Sequence, residues 1–332
     1  MIVDKFEIEK KILFSIYSEE KIKDYIEKNE TPDFIITDSK NQKKIGIEVT
    51  RLFVSQSSAA RRSNEFCNKF INEYKPGVKK KKRKSFLKRT HVVKLESDIA
   101  EGPVQKDYVI IEEVSLKDYL DFLENLISKK NDSYLHPKEE LEYTNLFIFD
   151  EDNFLKRLPF EITDIYKIIR SHSVFDTIIN SNFQEIILFT EFKSGFYPIN
   201  LKWVIFVNEF YLYKHFWKNE LAISTHQKND FYLMIKHFCA TIHILFNFTK
   251  VYLAFNENNE RIIIFGTSYW VFNENEFINE GAFLALELKE DRLIKNVIPK
   301  HIKNSTTHVE YAKYRLTLVP NLQEGMFYKK DR

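Results

Sequence analysis

The chain has 332 residues, of which 44% are hydrophobic and 30% charged, and a net charge of +2. That length holds one large domain or two ordinary ones, and the balance is that of a soluble globular protein, not a disordered or collagen-like one. The two cysteines, Cys67 and Cys239, exclude a disulfide framework and a cysteine-based zinc site, which favours a reducing compartment. The opening MIVDKFEIEKK lacks the apolar core of a signal peptide, and no apolar run is long enough to span a bilayer. A cytoplasmic protein with no membrane partner is expected.

Phe6, Ile8, Ile12, Leu13 and Ile16 recur at helical spacing, and Ile22, Tyr25 and Ile26 repeat it briefly. Residues 31–56 then read as two strands joined by a polar, lysine-rich turn. PDFIITD sets Phe34 and Ile36 against Asp33, Ile35 and Thr37, while KIGIEVT sets Ile45, Ile47 and Val49 against Gly46, Glu48 and Thr50. Alternation of period two predicts half-buried strands with Asp33 and Glu48 on the face away from the core. Two carboxylates brought together by a hairpin repel unless a positive charge sits between them. A divalent cation with oxygen ligands resolves that repulsion, and Mg²⁺ typically takes one or two carboxylates plus substrate phosphates.

Pro32-Asp33, a strand, a turn, a second strand and Glu48-Val49-Thr50 resemble the PD-(D/E)xK motif of the restriction-endonuclease-like nucleases, in an E-x-T variant. The resemblance implies an α/β fold, with a mixed β-sheet flanked by helices. It implies Mg²⁺ or Mn²⁺ held by Asp33, Glu48 and the Val49 carbonyl, with Glu9 of the preceding helix as a further acidic candidate. The usual lysine is replaced by Thr50, whose hydroxyl can orient a water or a phosphate but supplies no charge. Gln56, Arg61, Arg62 and Lys69, on or near a helix expected over 55–74, are candidate substitutes, because negative charge grows on phosphoryl oxygens during hydrolysis.

Residues 61–94 hold thirteen Lys or Arg against two Glu, a local net charge of +11, so the rest of the chain carries −9. The centre is Lys79, Lys80, Lys81, Lys82, Arg83 and Lys84, followed by Lys88 and Arg89. Such a run, with Arg61 and Arg62, is expected to bind phosphate backbones by counterion release; the alternatives are a solvated loop or, in a eukaryotic source, a nuclear-import signal.

THVVKL (90–95) and KDYVIIEEV (106–114) predict strands. SLKDYLDFLENLISKK predicts a helix capped by Ser115, with Leu116, Tyr119, Leu120, Leu123 and Leu126 facing inward. LFIFDED (146–152) predicts a buried strand ending in a solvated acidic cluster, Asp150, Glu151 and Asp152. A helix over FEITDIYKIIRSHSVFDTII and a strand at QEIILFTEF complete an α/β order.

Gly195 and Pro198 predict a boundary between a nuclease-like domain, 1–195, and a C-terminal α+β region, 196–332, expected to serve recognition or dimerisation or to extend the first core. In that region LKWVIFVNEFYLY reads as a strand or ribbon, NDFYLMIKHFCATIHILFNF as a buried helix, and KVYLAFNENNERIIIFG as a hairpin. GAFLALEL and YRLTLVP are candidate strands. His237 and His243 are six residues apart, a poor spacing for a shared metal on one helical face.

The functional expectation is a metal-dependent nuclease acting on DNA ahead of RNA, in anti-phage defence or restriction, alone, as a homodimer, or with a partner defence protein. The competing expectation is a catalytically inactive nuclease-fold module that binds nucleic acid or a partner.

Overall fold

The structure is a computed structural model. It describes residues 5–17, 19, 26–37, 44–53, 90–99, 102–111, 114–134, 141–246, 251–255, 261–265, 268–272, 277–282, 307 and 309–315. Gln56, Arg61, Arg62, Lys69 and the basic run 79–89 lie outside the described residues.

Helix α1 (Lys5–Ile16) precedes strands β1 (Ile26–Lys28), β2 (Phe34–Thr37) and β3 (Lys44–Leu52). These form an antiparallel meander in which Phe34 pairs with Ile47 and Ile36 with Ile45. Ile26 therefore opens a strand and does not extend a second helix. A separate ribbon of β4 (Thr90–Ile99) and β5 (Gly102–Ile111) follows, antiparallel throughout. Helix α2 (Leu116–Ser133) leads into β6 (Tyr143–Asp150), which runs parallel to β3 with Glu48 opposite Leu146.

Two short 3₁₀ turns (Phe154–Arg157 and Ile162–Asp164) and helices α3 (Ile165–Arg170) and α4 (Val174–Asn180) connect to β7 (Ile186–Phe192), parallel to β6. The single helix expected over 160–179 is thus broken at residues 171–173, where Ser171 N–H closes α3 onto the Lys167 carbonyl. Strand β8 (Gly195–Asn200) completes a mixed sheet in the order β1-β2-β3-β6-β7-β8. The fold is α/β, with a six-stranded mixed sheet flanked by helices.

Alternation places the two core layers. Ile45, Ile47, Val49, Phe147 and Ile187 face α1 through Ile12, Leu13 and Tyr17. Leu52, Leu146, Ile148, Ile186 and Leu188 face α2, α4 and the helix after β8. Gly46 is required where the meander closes. A Cβ there would sit 2.8 Å from Pro32 Cγ and 2.9 Å from Leu141 Cδ1, closer than carbon atoms approach.

Gly195 and Pro198 do not mark a break in the sheet. Both lie in β8, with Pro198 on an edge strand that needs no donor on its open side. LKWVIFVNEFYLY is not a ribbon but the first part of helix α5 (Leu201–Asn219), capped by Asn200, whose side chain accepts from Trp203 N–H at 3.1 Å. The reason is burial on most sides: Trp203, Ile205, Phe206, Phe210, Tyr213 and Phe216 all enter the large core. An apolar run of this kind has no period that separates a buried strand from a buried helix.

Helices α6 (Thr225–Asn229) and α7 (Phe231–Leu245) follow, and then an antiparallel sheet of β9 (Val251–Phe255), β10 (Arg261–Phe265), β11 (Ser268–Phe272) and β12 (Phe277–Ala282). β9 and β10 pair as the expected hairpin. Trp203 of α5 stacks on Trp270 of β11, with ring centroids 4.1 Å apart. Residues 309–315 are helical, so Tyr314 and Arg315 do not begin a strand. Gly281 and Ala282 end β12; the rest of both candidate strands lies outside the described residues. Among the described residues, no helix is long and apolar enough to cross a membrane.

Buried Glu209 of α5 joins α3 to the helical residues 309–315. It receives Arg170 and Arg315, each at 2.7 Å, and the hydroxyls of Tyr166 and Tyr311 at 3.1 and 2.9 Å.

Candidate functional site

The meander brings Asp33 and Glu48 together. Continuing the register one step beyond Phe34–Ile47 sets Asp33 against Glu48. Asp33 Oδ2 accepts the Val49 N–H at 2.8 Å, which pins the carboxylate to the backbone beside Glu48. Glu48 is buried, and its side chain leaves the sheet on the α2 face.

Helix α2 answers it. Ser115 and Asp118 form a reciprocal capping box that fixes the helix start. Tyr119, Leu120, Leu123 and Ile127 then face the sheet. The same stripe, continued by three- and four-residue steps, reaches Lys130 and Tyr134. Lys130 Nζ donates to Glu48 Oε1, and the Tyr134 hydroxyl donates to Glu48 Oε2. Burial drives the Tyr134 phenol far above its usual range, followed by its hydrogen bond to Glu48 and the charges of Glu48 and Asp33. The phenol stays protonated, a donor that senses both carboxylates.

Thr50, two residues on from Glu48, is half-buried on the same face and pairs with Ile148. Val49 contributes its amide to Asp33. Glu9 is buried on α1, the layer across the sheet from Lys130 and Tyr134. Sequence reasoning missed Lys130 and Tyr134. The signal that finds them is the stripe Leu123, Ile127, Lys130 and Tyr134, which carries the buried side of α2 into its last turn.

The donor set fits a hard divalent cation. Asp33 and Glu48 offer oxygen only, the ligand preferred by Mg²⁺ and Mn²⁺. An ionised carboxylate has about four lone-pair sites, so the bonds from Lys130 and Tyr134 leave acceptor capacity on Glu48. The Lys130 side chain is 32% exposed, against 7% for Glu48, so the cationic partner has room to turn.

A second group, Asp121, Glu124 and His172, lies within 4.8 Å. His172 Nε2 meets Asp121 at 2.9 Å, while Nδ1 accepts the Val174 N–H at 3.1 Å. Both ring nitrogens are engaged, and the group caps α4 against α2.

The expected solvated cluster at 150–152 is corrected. Asp150 is fully buried and accepts from Thr190 (2.8 Å), Tyr119 (3.2 Å) and the amides of Phe154 and Asp152 (3.2 and 3.3 Å). Burial pushes its carboxyl up to about 6 despite those donors. Glu151 is buried too, paired with Arg51 at 3.4 Å.

Lys202 is also buried. It donates to the carbonyls of Ser181 and Phe183 at 3.1 and 2.5 Å, and burial lowers its pKa to about 7 against the pull of Glu185. Phe183 packs edge-on against Tyr134, centroids 5.4 Å apart.

The chain matches no family model, no curated protein and no solved structure.

Proposed function

We propose that the chain is a metal-dependent phosphodiesterase that cleaves nucleic acid, DNA ahead of RNA, on a restriction-endonuclease-like core. The observation that carries the reading is the convergence of Asp33, Glu48, Lys130 and Tyr134 at one point of a mixed sheet. Asp33 and Glu48 hold Mg²⁺ or Mn²⁺. Such a cation, when bound, lowers the pKa of a coordinated water and neutralises charge on the scissile phosphate. Tyr134 fixes the Glu48 carboxylate. Lys130 supplies from α2 the positive charge that Thr50 cannot supply from β3. The basic run of residues 79–89 grips the phosphate backbone, giving affinity with little sequence information. A role in restriction or anti-phage defence fits such an activity.

The test is incubation of the purified protein with plasmid, linear single-stranded DNA and RNA, with Mg²⁺, with Mn²⁺ and with chelator. Metal-dependent degradation that disappears in both Asp33→Ala and Glu48→Ala supports the enzyme. Undiminished cleavage by either variant rejects this site.

A second reading has its own observation: both Glu48 oxygens already carry donors, so the ion pair can be a purely structural joint. The fold would then bind nucleic acid or a partner without cutting. Salt-sensitive retardation of DNA on a gel, with no cleavage under any metal, favours that reading.

A further inference from the structure

The two donors to Glu48 differ in how firmly they are held. Tyr134 is 9% exposed and packs against Phe183, whose carbonyl is itself held by Lys202. Lys130 reaches Glu48 from a side chain that is 32% exposed, on a flexible four-carbon stem. Its ammonium is the positive group that meets the Glu48 carboxylate. A divalent cation on Asp33 and Glu48 would stand within a few ångströms of that ammonium, where like charges repel strongly in a partly buried site. Glu48 and Tyr134 are both buried while the Lys130 side chain is partly exposed, so Lys130 is the group with room to move.

We infer that Lys130 is an exchangeable counter-ion of Glu48: it yields the carboxylate when a divalent cation binds and turns its ammonium outward to the substrate phosphate. This rests on the metal-site reading above. Its signature separates it from a fixed structural salt bridge, because loss of the charge strengthens metal binding while weakening cleavage. A merely structural lysine would weaken both or neither.

The test is calorimetric titration of Mn²⁺ into the full-length wild type, Lys130→Met, Lys130→Gln and Glu48→Gln, with single-turnover plasmid cleavage alongside. Lys130→Gln keeps a hydrogen-bond donor and guards against misfolding of the methionine variant, which far-ultraviolet circular dichroism monitors. The expected result is a Mn²⁺ dissociation constant about tenfold lower in both Lys130 variants, with slower cleavage. Equal or weaker Mn²⁺ binding in the folded Lys130 variants overturns the exchange while leaving the metal site intact. Absence of Mn²⁺ binding in wild type and Lys130 variants alike, or binding unaffected in Glu48→Gln, overturns the metal site and the exchange together.

Discussion

Asp33 reaches across the meander to take the Val49 amide at 2.8 Å, so the backbone on one side of Glu48 fixes the acid beside it. Asp33 thus has a structural bond as well as a charge, and two substitutions separate them. Asp33→Asn retains an acceptor for Val49 and should keep most of the stability. Asp33→Ala strands a half-buried N–H and should cost about 1–3 kcal/mol in urea unfolding. Metal-dependent cleavage should vanish in both; cleavage surviving in Asp33→Asn would leave the carboxylate without a chemical role.

Gly46 offers a steric test of the same joint. In Gly46→Ala the new methyl meets Pro32, Leu141 and the Thr144 hydroxyl at 2.8–3.0 Å. Overpacking of this kind costs about 1–3 kcal/mol. It also pushes Pro32, and Asp33 with it, off β3. The denaturation midpoint should fall and cleavage with it, whereas an unaltered midpoint would mean that the meander has slack here.

Asp150 predicts a pH dependence in the acid range. Its folded pKa, about 6, lies above the ordinary 3.8, so the folded state holds the proton more tightly than the unfolded state. The stability it contributes is fully present below the unfolded pKa and is lost as pH rises through about 6, on the order of 2–3 kcal/mol. Asp150→Asn should flatten this part of the stability–pH curve. An unchanged slope between pH 4 and 6 would assign it to other groups.

Lys202 acts in the opposite direction and in a higher window. Its folded pKa is lowered from 10.5 to about 7, so between those values the unfolded chain binds more protons. Stability from this group therefore rises with pH from 7 towards 10.5. A neutral amine still has two N–H bonds for the Ser181 and Phe183 carbonyls. Thermal unfolding of wild type and Lys202→Met from pH 7 to 9.5 checks it: the wild type should gain relative to the variant as pH increases.

Glu209 anchors two arginines from distant parts of the chain. Glu209→Gln leaves both without a counter-charge in a buried site, a change that costs about 3–5 kcal/mol. Limited proteolysis should then cut near residues 309–315 before the six-stranded sheet opens. Simultaneous loss of both parts would show that the junction is no weaker than the core.

The β2–β3 hairpin was legible in the sequence because period two sets which side chains share a face, whereas β1 was not, because Ile26 continues the helical spacing of Ile22 and Tyr25. Lys130 was not, because it lies 82 residues from Glu48 along the chain and joins it only through tertiary packing. The acidic triplet misled for a related reason. Charge alone suggests solvent, but the donors that make Asp150 buriable come from Tyr119 and Thr190, on a helix and a neighbouring strand. Helix α5 was hidden by its own burial: with apolar residues on most sides, only the Asn200 cap marked its start.

Helix α2 touches the sheet's acids at both extremities, Tyr119 on Asp150 and Lys130 with Tyr134 on Glu48. The two contacts are about 16 Å apart along its axis. It therefore behaves as a beam pinned at two points, unable to slide without breaking one end or the other. Trimming Tyr119 to Phe, remote from any phosphate, should loosen the far pin and be felt as misalignment of Lys130.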